Sequence, residues 1–242
     1  MANPNIVFIH DKVGYVELQD HFGDDTLIVN SARVSFDKEV DSMSPADERL
    51  VRYLVKHQHI SPFFHPQIRF RIKMPIYVAR EWYRHCIGLS RNEVSRRYVD
   101  SEPEMFMPEF LRARNPSLKQ GSSSEPIEKN EEYMEKIRKF HSDTTAFYNE
   151  LLEVGVAPEL ARGILPNNLY TSFIETGSLG AYARICKLRL DPTAQKEIQE
   201  YAQIVSDHLE KLFPITWRYI INPDAELLLT PPKKLDSPKK DD

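Results

Sequence analysis

From Gln67 to Lys73 the chain alternates strictly, with Ile68, Phe70 and Ile72 on one face and Arg69, Arg71 and Lys73 on the other. A period of two with one apolar face is a half-buried strand. Pro75 then opens a helix whose buried stripe is Ile76, Ala79, Trp82 and Tyr83. Arg80, Glu81, Arg84 and His85 fall mostly off that stripe, Arg84 one turn after Arg80. Directly behind this apolar run comes Arg84 to Tyr98, fifteen residues with four arginines, a histidine, a glutamate, an asparagine and two serines. Arginine forks suit phosphate oxygens, and Ser and Asn add neutral hydrogen-bonding groups. The mixture fits a pocket for a phosphorylated, hydrogen-bonding heterocycle; a solvated basic loop has the same composition.

Around this segment, Asn5 to His10 and Tyr15 to Gln19 read as short strands, and Thr26 to Val29 looks similar before the polar run Asn30 to Ser35. Ser44-Pro45-Ala46-Asp47 starts a helix that runs to about His57 with Leu50, Val51, Leu54 and Val55 on its apolar face. Residues 101–126 are Pro- and Ser-rich without periodicity and read as a surface loop. A long amphipathic helix follows, roughly Ile127 to Glu153, closed by Gly155. Ala157-Pro158-Glu159 starts a short helix carrying Arg162, and Leu169 to Thr176 is either a strand or a helix continuation. Ser178 to Leu188 reads as helix, and Asp191-Pro192 caps another that ends near Leu212. The sum is α/β, more narrowly α+β: a helix-rich single domain over residues 1–230 around a modest, mostly antiparallel sheet. Residues 231–242 hold three prolines, four lysines and three aspartates, a composition that reads as a disordered charged tail.

A formal net charge of −4 argues against general nucleic-acid binding, since the basic character is local. The first residues lack the basic and apolar regions of a signal peptide, and no apolar run approaches the roughly 20 residues that span a bilayer. The expectation is a cytoplasmic protein without a membrane partner. Two cysteines, Cys86 and Cys186, give no disulfide framework and no CxxC spacing. Each is expected at a helix or its end as a small buried hydrophobe, although Arg84 and His85 would favour a Cys86 thiolate.

Phosphate-binding glycine loops are missing: no GxGxxG, no GxxxxGK[ST], and only eight glycines in all, which disfavours a Rossmann domain. GxSxG and HExxH are also absent. Phosphate must then be held by side chains and helix ends. Arg162 and Arg189 have apolar neighbours, where a charge needs a partner, either a structural carboxylate or an anionic ligand. His57, His59 and His65 fall within nine residues. No cysteine or carboxylate pair completes a metal shell there, so a polar contact to substrate or backbone is favoured over a metal.

The stretch Arg84 to Arg97 resembles the signature of the flavin-dependent thymidylate synthases, Arg-His-Arg followed by seven residues and Ser. Three further blocks agree in order and spacing: His57 to Phe63, Ala161 to Thr171, and Leu188 to Ile198. The resemblance covers roughly Ser31 to Pro214. It implies an FAD-dependent homotetramer with shared active sites that methylates dUMP to dTMP. Methylenetetrahydrofolate supplies the carbon and NADPH recharges the flavin. It further implies flavin contacts at Ser35, His59, Ser61, Arg84, His85, Ile87, Asn92 and Glu93. Nucleotide contacts fall at Glu81, Arg84, Ser95, Arg96, Arg97, Arg162 and Arg189, with Arg189 and Ser95 as the catalytic pair. Arg189 would stabilise charge on the uracil carbonyl as C5 becomes nucleophilic.

Departures from the pattern gather on the flavin side. Cys86 replaces the second arginine, and eight residues separate it from Ser95. The insertion falls within Gly88 to Arg91, where Arg91 could return the missing charge. Phe64 stands for a glutamate, Glu81 for a glutamine, Ser178 and Gly180 for asparagine and arginine, and Thr193 for histidine. These changes leave open another C1 transfer such as deoxyuridylate hydroxymethylation, a non-catalytic nucleotide- or nucleic-acid-binding protein, or, more remotely, a metal-dependent nucleotide hydrolase.

Overall fold

The computed structural model describes residues 3–99, 101–115 and 121–229. The charged tail expected at 231–242 lies outside the described residues. Strands β1 (Ile6–Phe8), β2 (Tyr15–Phe22), β3 (Gln67–Pro75) and β4 (Leu89–Glu93) come first. A separate hairpin follows, β5 (Arg112–Arg114) and β6 (Ser122–Pro126), before β7 (Tyr170–Ser178) inserts between β3 and β4. The five-stranded sheet has the order β1-β2-β3-β7-β4, and every pairing in it is antiparallel.

The alternation in β3 works as its spacing predicts. Ile68, Phe70, Ile72 and Met74 are fully buried, while Arg69 and Arg71 stay exposed. Opposed residues of an antiparallel pair share a face. Lys73 therefore shares the polar face with Tyr15 on β2 and Ser172 on β7, and Arg71 with Glu17 and Ile174.

The helices are α1 (Asp25–Arg33), α2 (Pro45–Lys56), α3 (Ile76–Trp82), α4 (Asn130–Glu153), α5 (Pro158–Ala161), α6 (Leu179–Arg189), α7 (Lys196–Leu212) and α8 (Pro214–Ile221). All but α4 and α5 supply residues to the buried clusters on the apolar side. Tyr182, Ile185 and Cys186 of α6 meet Ile198, Tyr201, Val205 and Leu209 of α7 in the main core, with Phe70 edge-on to Tyr182 at 5.2 Å. Burying a side chain of this size stabilises the fold by about 1.5–3 kcal/mol. A smaller cluster joins Val29, Val51, Ile215 and Tyr219.

Several elements differ from the sequence reading. Thr26 to Val29 is helical, because Asp24 caps α1 by accepting from the Leu27 N–H at 3.0 Å. Residues 101–126 contain the β5–β6 hairpin, anchored by Arg112, which donates to Ser122 Oγ at 2.7 Å and pairs with Glu197 at 2.5 Å. Asp191 caps no helix; its carboxylate accepts from the Thr193 N–H at 2.8 Å, and α7 starts after Gln195. Helix α8 is buried along most of its length, so it lacks the amphipathic stripe that would announce it. The stretch Leu169 to Thr176 resolves as strand rather than helix: β7 takes it from Tyr170 on, and Leu169 forms a lone bridge to Met105.

Candidate active site

Helix α3 ends at Trp82, so Arg84 and His85 sit in the turn beyond it rather than one helical turn after Arg80. Gly88 then reverses the chain into β4 with φ of +76°, a left-handed conformation that glycine adopts at little cost. A Cβ there would also lie 3.3 Å from both Phe64 Cε1 and Ser178 Oγ. Cys86 is exposed on this turn, against the expectation of burial, because the helix that would have packed it has already ended. Cys186 is buried as expected, and burial pushes its thiol well up.

Arg91 does not return a charge to the pocket. It turns inward, ion-paired with Glu175, which is wholly buried and sits opposite it in the β4–β7 register. Trp82 Nε1 donates to the same carboxylate at 3.1 Å, and a second Arg91 nitrogen donates to the His85 carbonyl. A buried carboxylate needs this kind of compensation, and the inserted arginine supplies it.

Arg189, at the end of α6, pairs with Glu81 of α3 and donates through Nε to His85 Nε2 at 2.9 Å. Accepting there fixes the His85 proton on Nδ1 when the ring is neutral. Burial, joined by the charges of Arg189, Arg91 and Arg184, pushes the His85 imidazole down to about 4. The ring is therefore neutral at physiological pH. Glu81 and Arg189 open onto a cavity of about 970 Å³ that the β5–β6 hairpin walls through Arg112 and Ser122.

A second cavity, about 800 Å³, lies on the polar face of the sheet. Ser95, Arg96 and Glu93 line it from beyond and within β4, and Arg162 enters from the turn after α5. Arg71, Lys73 and Tyr170 form its floor. Arg96 also ties its own loop by donating to the Ser101 carbonyl at 2.7 Å and the Glu102 carbonyl at 3.2 Å. Glu93 accepts from Thr171 Oγ1 at 2.5 Å. Its charged lining sets Arg71, Lys73, Arg96 and Arg162 against Glu93, Glu104 and Glu159, with Lys73 paired to Glu104 at 2.5 Å, so an anion such as a phosphate ester is left to the arginines and the Ser95 hydroxyl.

A third, mainly apolar cleft of about 570 Å³ lies between α2 and α6, with Lys56, Arg184 and Lys187 among its lining residues.

Comparison with known proteins gives the family of the chain. Residues 17–215 match the family model described as thymidylate synthase complementing protein. A flavin-dependent thymidylate synthase from Thermus thermophilus is 39% identical over 217 residues, covering 90% of this chain and 78% of that protein. The chain belongs to the flavin-dependent thymidylate synthase family. A second member, from Thermotoga neapolitana, is 39% identical over 208 residues, with 86% and 91% of the two chains covered. In three dimensions the chain is similar to the UMP/dUMP methylase PolB of Streptomyces cacaoi, solved with 5-Br dUMP. The TM-score is 0.77 at 27% identity, with 85% of this chain and 94% of that one aligned.

Set beside the residues that the family resemblance implies, the structure groups Glu93, Ser95, Arg96 and Arg162 in one cavity and Glu81, Arg189 and neighbouring His85 at another. Arg97 lines neither; it is exposed, its guanidinium 5.0 Å from the Tyr98 ring. Arg84, Ile87 and Asn92 are exposed on the Cys86 turn and β4. His59 and Ser61 are exposed beside the third cleft's Gln58 and Ile60, and His59 stacks on Tyr53 at 5.7 Å. Ser35 is exposed after α1.

In chemical character the third cleft suits the flavin of this family. An apolar lining with cations suits a flat ring system joined to a pyrophosphate. None of His59, Ser61, Arg84, Ile87 and Asn92 lines that cleft: His59 and Ser61 adjoin its Gln58 and Ile60, Ile87 is tied to its Arg184 through a carbonyl, and Arg84 and Asn92 lie on the turn and strand beyond. Arg71 and Lys73 were legible as the polar face of β3 without a role, whereas Arg112, in a segment with no periodicity, gave no signal.

No helix among the described residues is long and apolar enough to cross a membrane.

Proposed function

We propose that this protein is a flavin-dependent thymidylate synthase. It converts dUMP to dTMP with carbon from methylenetetrahydrofolate and electrons from reduced FAD, recharged by NADPH. The observation that carries this reading is the cavity where Ser95 and Arg162, remote in sequence, meet Arg96 on the polar face of the sheet. A dianionic nucleotide phosphate is matched there by forked guanidinium groups and a hydroxyl.

Arg189 acts on the base. Held by Glu81 and the neutral His85, it is a preplaced cation for the charge that develops on the uracil carbonyl as C5 becomes nucleophilic. A protonated His85 would repel Arg189 and withdraw its acceptor nitrogen, so the lowered imidazole keeps the pair intact. The bound flavin supplies the reducing electrons. Cys186 takes no part, sealed in the core with its thiol pushed up.

The working unit in this reading is a homotetramer with shared active sites. Support comes from the two cavities, whose linings have no residue in common. In this reading a uridylate that touches both Ser95 and Arg189 draws them from different protomers. Two free thiols suit a reducing cytoplasm, and the net charge of −4 suits small-molecule rather than nucleic-acid partners.

The test is product analysis. Purified protein with dUMP, methylenetetrahydrofolate and NADPH should retain a flavin absorption spectrum and yield dTMP by mass spectrometry. UMP is run in parallel as a control on sugar selectivity. A hydroxymethylated product, or dUMP binding without turnover, would overturn the reading.

A further inference from the structure

The family departures on the flavin side touch one another. A Cβ on Gly180 would come within 3.0 Å of Phe64 Cε2 and 3.4 Å of the Phe63 carbonyl oxygen. A side chain at position 180 would be tight against Phe64, whose ring would have to give by a few tenths of an ångström. The same ring borders Gly88, in the inserted segment, and Ser178 borders Gly88 from the other side of the turn.

One positive charge stands over this cluster. Arg184 lies one helical turn after Gly180 on α6, its guanidinium 5.5 Å from the Phe64 ring centroid. It also donates to the carbonyl of Ile87, the residue that follows Cys86. Arg91, the cation carried by the inserted segment, is committed to Glu175. Arg184 remains exposed and lines the apolar cleft with Ile60, Phe63, Phe64, Gly180 and Lys187.

We propose that Arg184 is the cation that grips the pyrophosphate of FAD in this protein, over Phe64 as its aromatic shelf. It takes over the charge that Cys86 and Gly180 do not provide. The proposal rests on the flavin reading of the enzyme. Cation, aromatic plane and apolar cleft together match a flat heterocycle carrying a doubly anionic linker.

FAD and riboflavin separate the roles, because they share the ring but only FAD carries the pyrophosphate. The full-length protein, freed of flavin, is titrated with each by flavin fluorescence at low and high salt. In Arg184→Ala, FAD affinity should fall about tenfold or more while riboflavin affinity changes by less than about twofold. The salt dependence of FAD binding should shrink with it. Arg184→Lys should recover part of the FAD affinity. Equal losses for both ligands would assign Arg184 to holding the Ile87 turn, and no loss for either would remove it from the cleft; both overturn the proposal. Wild-type protein that binds neither flavin would overturn the flavin reading itself, an outcome distinct from failure of Arg184 alone.

Discussion

Arg91 and Glu175 face each other across the β4–β7 pair, and their ion pair lies on the core side of the sheet, with Trp82 donating to the same carboxylate. Removing one member of a buried pair strands the other in a low-dielectric interior. Arg91→Ala should therefore destabilise the protein by about 3–5 kcal/mol. Urea unfolding with an unchanged slope would measure it. A loss below about 1 kcal/mol would mean that Glu175 is neutralised by other means.

Arg162 is exposed at the wall of the anion cavity, so its removal should cost binding rather than folding. In Arg162→Ala the affinity for dUMP should drop about tenfold to a hundredfold, the range of a lost charge-assisted contact. Calorimetric titration against deoxyuridine as well as dUMP locates the contact. An equal loss for nucleoside and nucleotide would move Arg162 from the phosphate to the base.

Much of this architecture was legible because it follows from periodicity. The alternation from Gln67 to Lys73 gave β3 and its polar face, and Ser44 with Asp47 gave the start of α2 as a capping box. What local pattern does not hold was lost. Thr26 to Val29 has the composition of a strand, and only the Asp24 cap and burial of Ile28 and Val29 make it helix. The inward turn of Arg91 was equally invisible, since its partner Glu175 lies 84 residues away. Sequence blocks named candidate residues, but not their division between two cavities, which depends on the register of β4 with β7 and on where α6 ends.

His85 should titrate far below an ordinary histidine. Its folded midpoint lies at about 4 against the usual 6.5, through burial first and the nearby arginines second. Between those values the unfolded chain binds the proton more readily than the folded one. The stability His85 contributes is therefore fully present above 6.5 and is lost as pH falls toward 4. NMR titration of the imidazole checks this directly. Arg189→Ala should raise the midpoint by removing the adjacent charge, and an unmoved midpoint would leave burial as the sole cause.

Phe64 and Gly180 should behave as a coupled pair. Gly180→Ala places a methyl 3.0 Å from the Phe64 ring and should cost about 1–3 kcal/mol of stability as overpacking. With Phe64→Ala already present, the same change should cost far less, because the obstructing ring is gone. A double-mutant cycle by thermal or urea unfolding measures the difference, and additive effects would show that α6 shifts to absorb the methyl.

Sharing of the active site between protomers has a genetic form of test. At dUMP concentrations well below the raised Kd of Arg162→Ala, that variant and Arg189→Ala should each lose most activity, since one removes a phosphate contact and the other the cation at the base. If one site draws Arg162 from one protomer and Arg189 from another, mixed oligomers contain intact sites. Random assembly of equal amounts should restore about a quarter of wild-type sites. Subunits are exchanged by dilution and reassociation, and dTMP formation is compared before and after. Activity that stays at the level of the separate variants would place both arginines in one protomer's site, and the two cavities would then have to join within a single chain.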